Sequence, residues 1–340
     1  MKNSKPFVFI FFAVLTLFSC QQKKSTESFS AMNTFMTMQA YGSKSQEALA
    51  AVKERIESLE DTISTTLEGS DLYKLNHQSG SFIKVRDDTT RLFEFTLGMY
   101  KATDHALNPA LYPVISAWGF TTEKYRIPSE EELSELLSHT DLLKVESIDN
   151  DSGMELKLED GMKLDFGAVG KGFAADESVK ILKEYGVKSA LLDLGGNVQV
   201  LGKKTDGSFW TVGIKNPWGG ETVCAVKVYD CAVVTSGGYE RYFIGEDGNK
   251  YIHIFDSVTG HPAESDLESV SIICESGLFA DSLSTSLFVM GKEKAISWWA
   301  QNGGFDFILI TKEKELYLSE GIKDRVQVLY PFSAVYSVKS

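Results

Sequence analysis

An aspartate and a threonine lie four residues apart in the segment 279-FADSLSTSLFVMG-291. The apolar residues of this segment recur at spacings of three and four, which predicts a helix. Asp281 and Thr285 then lie one turn apart on the same face of that helix. A carboxylate and a hydroxyl are hard oxygen ligands, which suit Mg²⁺ better than zinc. The pair therefore predicts either a magnesium site or a helix-capping hydrogen bond.

A glycine-rich segment with one lysine, 164-LDFGAVGKGFAAD-176, comes before a second predicted helix. Its glycines allow a ligand to approach the backbone closely, and Lys171 supplies a cation beside a helix N-terminus, where anions are favoured. The glycine spacing differs from that of a dinucleotide-binding fingerprint and from that of a P-loop. The segment predicts either a phosphate contact or a strand-to-helix turn with a solvated lysine.

Two glycines, Gly195 and Gly196, interrupt the otherwise strand-like segment 191-LLDLGGNVQVLG-202. A glycine pair inside a strand weakens its packing, so it marks either a bulge or the close passage of a ligand.

A histidine stands between two isoleucines in 251-YIHIFDSVTGHP-262. Because side chains alternate along a strand, the imidazole of His253 leaves the apolar face that its neighbours form. Such a histidine is either structural or a general base and phosphate contact, and Asp256 is then its predicted partner.

The elements that must position these residues alternate irregularly along the chain. Helices are predicted over about 45–60, 88–103, from 129, over about 170–185, around Asp281 and near 292–301. Strand patterns include a hairpin over 154–167 that turns at Asp160-Gly161, one strand over 189–202, and late strands at 305–311 and 325–330. This order predicts an α+β fold with substantial antiparallel sheet, and we expect residues 31–340 to form one catalytic unit of either one or two lobes.

Charge and cysteine content exclude several classes of protein. The chain has 34 Lys and Arg residues against 47 Asp and Glu residues, a formal net charge of −13. A general affinity for nucleic acid is therefore excluded, and a phosphate-bearing ligand must meet local positive charge, a metal or backbone N–H groups. Cys224, Cys231 and Cys274 lack the spacing of a disulfide framework or a zinc site, so they are predicted to be core thiols.

The N-terminus has the pattern of a bacterial lipoprotein. Lys2 and Lys5 precede the apolar run 7–18, which is too short to span a bilayer and ends at Leu-Phe-Ser-Cys20. We predict a signal peptide over 1–19, a lipidated Cys20 and a polar tether over 20–30. The protein would then face the periplasm, lipid-anchored to the inner or outer membrane; an uncleaved anchor and a conventional signal peptide are the alternatives.

Eight ordered motifs over about residues 31–290 resemble the ApbE family of FAD:protein FMN transferases. The motifs are Met32-Asn33-Thr34, 108-NPA-110, Trp118-Gly119-Phe120, 165-DFGAVGKGFAAD-176, Gly195-Gly196-Asn197, Thr235-Ser236-Gly237, 253-HIFDSVTG-260 and 280-ADSLSTS-286. The resemblance implies an ApbE-like flavin transferase fold with mixed and antiparallel sheets and flanking helices. The chain departs from the family pattern at Asn33, Thr66, Asn108 and Ser257.

The resemblance also implies a set of site residues. The Mg²⁺ ligands would be the carbonyl of Ala168, Asp281 and Thr285. FAD would contact Met32, Ala106, Leu107, Asn108, Asp165, Lys171 and Phe255.

The implied reaction is transfer of FMN from FAD to a threonine hydroxyl of an acceptor flavoprotein, of the respiratory redox complex type, with release of AMP. His253 is the candidate base, with Asp256 beside it. Two alternatives stay open: an FAD pyrophosphatase that uses water in place of threonine, and a lipoprotein that binds FAD without turnover.

Overall fold

The computed structural model describes residues 23–151 and 153–339, so the predicted signal peptide and Cys20 lie outside the described residues. The helices are α1 Ser45–Ile63, α2 Asp71–His77, α3 Asp87–Ala102, α4 Tyr112–Ala117, α5 Glu130–Leu137, α6 Gly170–Glu184, α7 Gly277–Met290 and α8 Lys292–Asn302. Short 3₁₀ helices cover Pro109–Leu111, Leu142–Lys144 and Lys323–Arg325. Within the described ranges, no helix is both long enough and apolar enough to cross a membrane.

The strands are β1 Lys24–Ala31, β2 Thr34–Tyr41, β3 Ile83–Lys84, β4 Glu146–Asn150, β5 Gly153–Lys157, β6 Ser189–Leu194, β7 Asn197–Leu201, β8 Trp210–Ile214, β9 Cys224–Val228, β10 Cys231–Gly237, β11 Tyr242–Ile244, β12 Lys250–Ile252, β13 Leu267–Cys274, β14 Asp306–Thr311, β15 Glu315–Ser319, β16 Val326–Val328 and β17 Ala334–Val338. Nine of them form one sheet in the order β1-β2-β6-β7-β10-β13-β14-β15-β17. Neighbours in this sheet are antiparallel except β15 and β17, which are parallel. The predicted α+β class with mixed and antiparallel sheets is therefore confirmed.

The large sheet is covered on both faces, as alternation along its central strands requires. In β14, Phe307 and Leu309 join the larger core cluster with helices α1, α3, α6 and α7, whereas Ile308 and Ile310 join a second cluster. That second cluster also contains buried residues of β8 and β9, which belong to a three-stranded sheet. Helices on one face and a small sheet on the other leave the central strands with apolar residues on both sides.

The predicted helices are confirmed in place. α1 buries the stripe Ala48, Leu49, Val52, Ile56 and Leu59. Ser129 caps α5 by accepting a hydrogen bond from the N–H of Glu132, as the Ser-x-x-Glu pattern indicates. α7 differs from its predicted single buried face, because it packs against α6, α8, β10 and β13 and is buried on most sides.

Three strand predictions are corrected. The segment 189–202 is two strands, β6 and β7, because Gly195 and Gly196 have φ of +70° and +92° and form the turn of a hairpin. The predicted hairpin over 154–167 is displaced towards the N-terminus: β5 pairs with β4, across a turn between Asn150 and Gly153. The segment after β5 is held instead by side chains, since the Leu164 backbone exchanges hydrogen bonds with the Asn76 amide.

The third correction concerns the predicted polar tether, because residues 24–30 lie in β1, which pairs with β2 along its whole length. The inward side chains of β1 include Ser25, whose hydroxyl is buried and lies 2.7 Å from that of Ser45. A polar residue on the inward face hid the alternation that marks a strand.

Helices α6 and α7 cross so closely that two glycines are required at the contact. A Cβ on Gly172 would lie 2.2 Å from the carbonyl oxygen of Gly277, and a Cβ on Gly277 would lie 2.8 Å from the carbonyl oxygen of Gly172. The carboxylate of Asp176 on α6 accepts hydrogen bonds from the N–H groups of Gly277 and Leu278 at the start of α7. This crossing sets the position of α7, and with it the position of Asp281.

Replacement of Gly172 by Ala should destabilise the fold. The added methyl group meets rigid backbone atoms, so we expect a loss of about 1–3 kcal/mol in the free energy of unfolding, measured by urea denaturation. Gly98→Ala is the matched control, because that exposed helical glycine has open space around it and Ala favours a helix. Equal stability of the two variants would contradict the close crossing.

Candidate active site

Asp281 is a buried carboxylate, with 4% of its surface exposed. Its Oδ2 accepts a hydrogen bond of 2.8 Å from the N–H of Gly172. Burial raises the pKa of Asp281, while the charge of Lys171 and this N–H lower it. A buried carboxylate stays ionised only with donors or a cation beside it.

Beside Asp281 lies a buried donor without a partner. The side-chain nitrogen of Asn197, at the start of β7, has no hydrogen-bond partner within the part of the chain that the structure describes. The Asn197 side chain nevertheless acts on the Asp281 carboxyl as a hydrogen-bond donor and lowers its pKa, so the amide nitrogen lies near that carboxylate without the geometry of a full hydrogen bond. Because buried donors are almost always paired, either a small movement towards Asp281 or an oxygen of a bound ligand would complete the pairing of this nitrogen.

Thr285 faces the end of strand β10. Its Oγ1 lies 3.3 Å from the Oγ of Ser236, which in turn lies 2.8 Å from the Oγ of Ser284. The structure therefore brings the Thr235-Ser236-Gly237 segment against the helix face that carries Thr285.

The loop before α6 supplies Asp165 and Ala168. Asp165 Oδ1 accepts from the N–H of Gly167 at 3.0 Å, which folds the loop tightly and leaves Ala168 exposed. Burial raises the pKa of Asp165, whereas the Gly167 N–H, Lys171 and Arg241 lower it. This loop leads directly into the start of α6, where the N–H of Gly172 contacts Asp281 of α7.

His253 follows the last residue of β12 and is oriented by a backbone carbonyl. Both its N–H and its Nδ1 lie within hydrogen-bond distance of the Arg241 carbonyl oxygen, at 3.1 and 3.0 Å. A carbonyl only accepts, so Nδ1 carries the proton and Nε2 of the neutral ring holds a free lone pair. Burial, together with the charges of Arg241 and Lys171, lowers the pKa of His253 to about 4, although the hydrogen bond to the Arg241 carbonyl acts in the opposite direction.

Asp256, the predicted partner of His253, makes its side-chain hydrogen bonds within its own turn in the structure. Asp256 Oδ1 accepts from the N–H groups of Val258 and Thr259, at 2.7 and 3.3 Å, and so holds the following turn. Such self-contained turns are a common use of aspartate in loops.

Lys171 is the common neighbour of the site. Its charge lowers the pKa of Asp165, Asp281 and His253, so all three lie within its electrostatic reach. Arg241 acts on Asp165 and His253, although the sequence prediction did not assign it a role. The sequence feature that could have identified Arg241 is its position as a basic residue shortly after the Gly237-Gly238 pair.

Two cavities adjoin the site at Asn108. The smaller, about 60 Å³, is lined by residues that include Leu107, Asn108, Asp165 and Ala168. The larger, about 320 Å³, is lined by Tyr100, His105, Asn108, Leu137, Thr140, Asp141, Leu143, Ser257 and Val258. The Asn108 amide accepts from the Ala110 N–H and donates to the Thr140 carbonyl, both at 2.9 Å, and so braces the wall between them.

The remaining predicted flavin contacts differ in accessibility. Met32 is half-buried at the tip of the β1–β2 hairpin, with φ of +51°, and its N–H donates to Glu60. Phe255 is buried and packs against Trp118 and Phe120, so its side chain is turned into an aromatic cluster. Ala106 is buried as well.

The residues fit a hard cation bound by oxygen ligands. Among residues 23–151 and 153–339 there is no cluster of three or more His, Cys, Asp or Glu side chains, which argues against a site of the zinc type there. The buried Asp281 carboxylate and the hydroxyl of Thr285 instead suit one hard cation, and the Asn197 side-chain nitrogen, which only donates, suits an oxygen of a ligand bound beside that cation.

Comparison with known proteins gives a consistent result. The ApbE family matches residues 32–309. The chain is 37% identical over 298 residues to the FAD:protein FMN transferase of Treponema pallidum strain Nichols, which covers 83% of this chain and 82% of that protein. It is 29% identical over 281 residues to the FAD:protein FMN transferase of Escherichia coli K12, covering 81% of this chain and 79% of that protein.

Comparison with solved structures supports the same family as the sequence comparison. The crystal structure of the ApbE protein from Thermotoga maritima matches with a TM-score of 0.81 at 30% identity, over 88% of this chain and 98% of that one. The resemblance that the eight motifs suggested is thereby confirmed, and the chain belongs to the ApbE family.

Proposed function

We propose that this protein is an Mg²⁺-dependent FAD:protein FMN transferase. The observation that carries the proposal is the buried Asp281 carboxylate held by the Gly172 N–H at the start of α6, with Lys171 next to Gly172 and Asp165 and His253 within reach of the Lys171 charge. The similarity to the FAD:protein FMN transferases of T. pallidum and E. coli supports the same activity. The substrate would be FAD, and the acceptor a threonine hydroxyl of a flavoprotein of the respiratory redox complex type.

The chain's own residues would hold the metal. Asp281, Thr285 and the carbonyl of Ala168 are its proposed ligands, and the Gly172 N–H keeps the Asp281 carboxylate in place. A bound Mg²⁺ would neutralise phosphate charge and polarise the P–O bonds of the pyrophosphate.

The hydroxyl oxygen of the acceptor would attack the phosphorus on the FMN side, and the bond to the AMP phosphate would break. His253 would take the hydroxyl proton at Nε2, because Nδ1 is engaged by Arg241. Lys171 and Arg241 would offset the negative charge of the phosphates. The low pKa of His253 keeps its lone pair available at neutral pH.

The first prediction concerns transfer itself. With FAD, Mg²⁺ and an acceptor flavoprotein domain, mass spectrometry should show covalently attached FMN, with one AMP released for each. Asp281→Asn keeps an oxygen for the Gly172 N–H but removes the charge. Because several kcal/mol of charge stabilisation is lost, transfer should fall at least about a hundredfold.

The control for this variant is Asp71→Asn, which changes another buried carboxylate that is bonded to Arg86 and Thr89. It should lower stability and retain Mg²⁺-dependent transfer. Release of AMP without FMN on the acceptor would instead show a pyrophosphatase, and tight FAD binding without AMP would show a storage protein.

The second prediction concerns His253→Asn. The asparagine amide can still donate to the Arg241 carbonyl, but the basic Nε2 is gone. Transfer should fall by about 10²–10⁴, while FAD affinity and melting temperature at neutral pH stay near wild type. A variant that melts much earlier but transfers at the wild-type rate per folded molecule would assign the histidine a structural role.

The same variant tests the lowered pKa of His253. In the folded protein this pKa is about 4, against about 6.5 for an unfolded histidine. As the pH falls from about 6.5 to 4, the unfolded chain binds the proton first, so the wild-type free energy of unfolding should fall relative to that of the variant. If the free energies of unfolding of the wild type and the variant change in parallel with pH, the lowered pKa of His253 is contradicted.

We also propose that residues 1–19 are a signal peptide and that Cys20 is lipidated, which would hold the protein at the periplasmic side of the inner or outer membrane. The support is the apolar run before the Leu-Phe-Ser-Cys20 segment.

Cys20→Ser should therefore release a soluble protein or leave an uncleaved precursor, as seen by membrane fractionation and intact mass. Cys224→Ser is the matched control, because the Cys224 thiol is buried, and it should leave membrane partition unchanged. Wild-type partition and mature mass in the Cys20→Ser variant would contradict the anchor.

A further inference from the structure

Three hydroxyl groups and one carbonyl form a chain of hydrogen bonds between α7 and β10. The Oγ of Ser284 lies 3.0 Å from the main-chain oxygen of Asp281, one turn earlier in the helix. The Ser236 Oγ lies 2.8 Å from Ser284 Oγ and 3.3 Å from Thr285 Oγ1. Each hydroxyl has a single proton to donate, so the order of donors along this chain is constrained.

The direction of proton donation along this chain is fixed by the main-chain carbonyl of Asp281. A main-chain carbonyl only accepts, so the proton of Ser284 points to the Asp281 oxygen. Ser284 Oγ must then accept from Ser236, whose one proton is used in that bond. The remaining contact, between Ser236 and Thr285, is a hydrogen bond only if Thr285 donates.

We infer that Ser236 and Ser284 are positioning residues that draw the Thr285 proton towards β10 and leave the lone pairs of Thr285 Oγ1 for the metal ion. The inference rests on the proposed function, since it concerns the same Mg²⁺ site. A hydroxyl ligand binds a cation through a lone pair, and a proton turned towards the cation would oppose binding. Outer partners of this kind commonly tune metal affinity.

The experiment is a titration of the purified full-length protein with Mn²⁺ in place of Mg²⁺, with FAD present and no acceptor, and with bound Mn²⁺ measured by electron paramagnetic resonance. Ser236→Ala removes the acceptor of the Thr285 proton. Its Mn²⁺ affinity should fall by about 10–100-fold, while FAD binding and melting temperature stay near wild type. Ser236→Thr keeps a hydroxyl and should restore tight binding.

Ser286→Ala is the matched control. Ser286 lies on the same helix, and its buried hydroxyl donates to the Ser282 carbonyl at 2.7 Å. This variant removes a hydroxyl of the same size with no link to Thr285, so its Mn²⁺ affinity should equal that of the wild type. An equal loss of affinity in Ser286→Ala and Ser236→Ala would overturn the inference.

The Asp281→Asn variant distinguishes a failure of the positioning role of Ser236 from a failure of the proposed metal site. If it loses Mn²⁺ binding and Ser236→Ala does not, the hydroxyl chain has no positioning role and the inference fails alone. If Asp281→Asn itself binds Mn²⁺ like the wild type, the metal site of the proposed function fails, and the inference fails with it.

Discussion

The close crossing of α6 and α7 is the contact on which the site depends. Gly172 and Gly277 let the two backbones touch, and the N–H of Gly172 is thereby brought to the Asp281 carboxylate. Asp176 ties the start of α7 back to α6. Because Lys171 precedes Gly172 on α6, the same contact also brings the Lys171 charge within reach of the Asp281 carboxyl, whose pKa it lowers.

Burial gives the site its electrostatic character. It raises the pKa of the Asp165 and Asp281 carboxyls and lowers the pKa of His253, so it opposes the charged form of every group. The charge of Lys171 lowers all three pKa values, so it opposes the effect of burial at Asp165 and Asp281 and adds to the effect of burial at His253. Under the proposed function, a metal ion and a pyrophosphate bound together would suit this site better than either would alone, because each would neutralise the charge of the other.

The packing of the large sheet explains why the polar site can lie next to an apolar core. Strand β10 places Val233 in one hydrophobic cluster and Ala232 and Val234 in the other, and it ends in the hydroxyl-bearing Thr235 and Ser236. The hydroxyls at this strand end pair with hydroxyls of β13 and α7, so few polar groups are left without partners. The site therefore occupies the end of a strand whose length is otherwise apolar.

The sequence alone determined the helices, the α+β class and the family, because helical periodicity and ordered motifs are properties of local spacing. It also singled out Asp281, Thr285 and His253 as candidate site residues, and their roles stay predictions. It could not determine partners across the fold: Asp256 looked suited to His253, but the structure gives the histidine the carbonyl of Arg241.

The sequence predicted either a bulge or the close passage of a ligand at Gly195 and Gly196. The tertiary structure shows that the two glycines form a hairpin turn. A Cβ on Gly195 would lie 2.1 Å from Thr34 Oγ1, so the tips of two hairpins distant in sequence lie side by side. The grouping of site residues around Lys171 and the hydrogen-bonded hydroxyls at Ser236 also join segments that are distant in sequence. They follow from contacts between segments far apart in the chain, and no local pattern records which segments will meet.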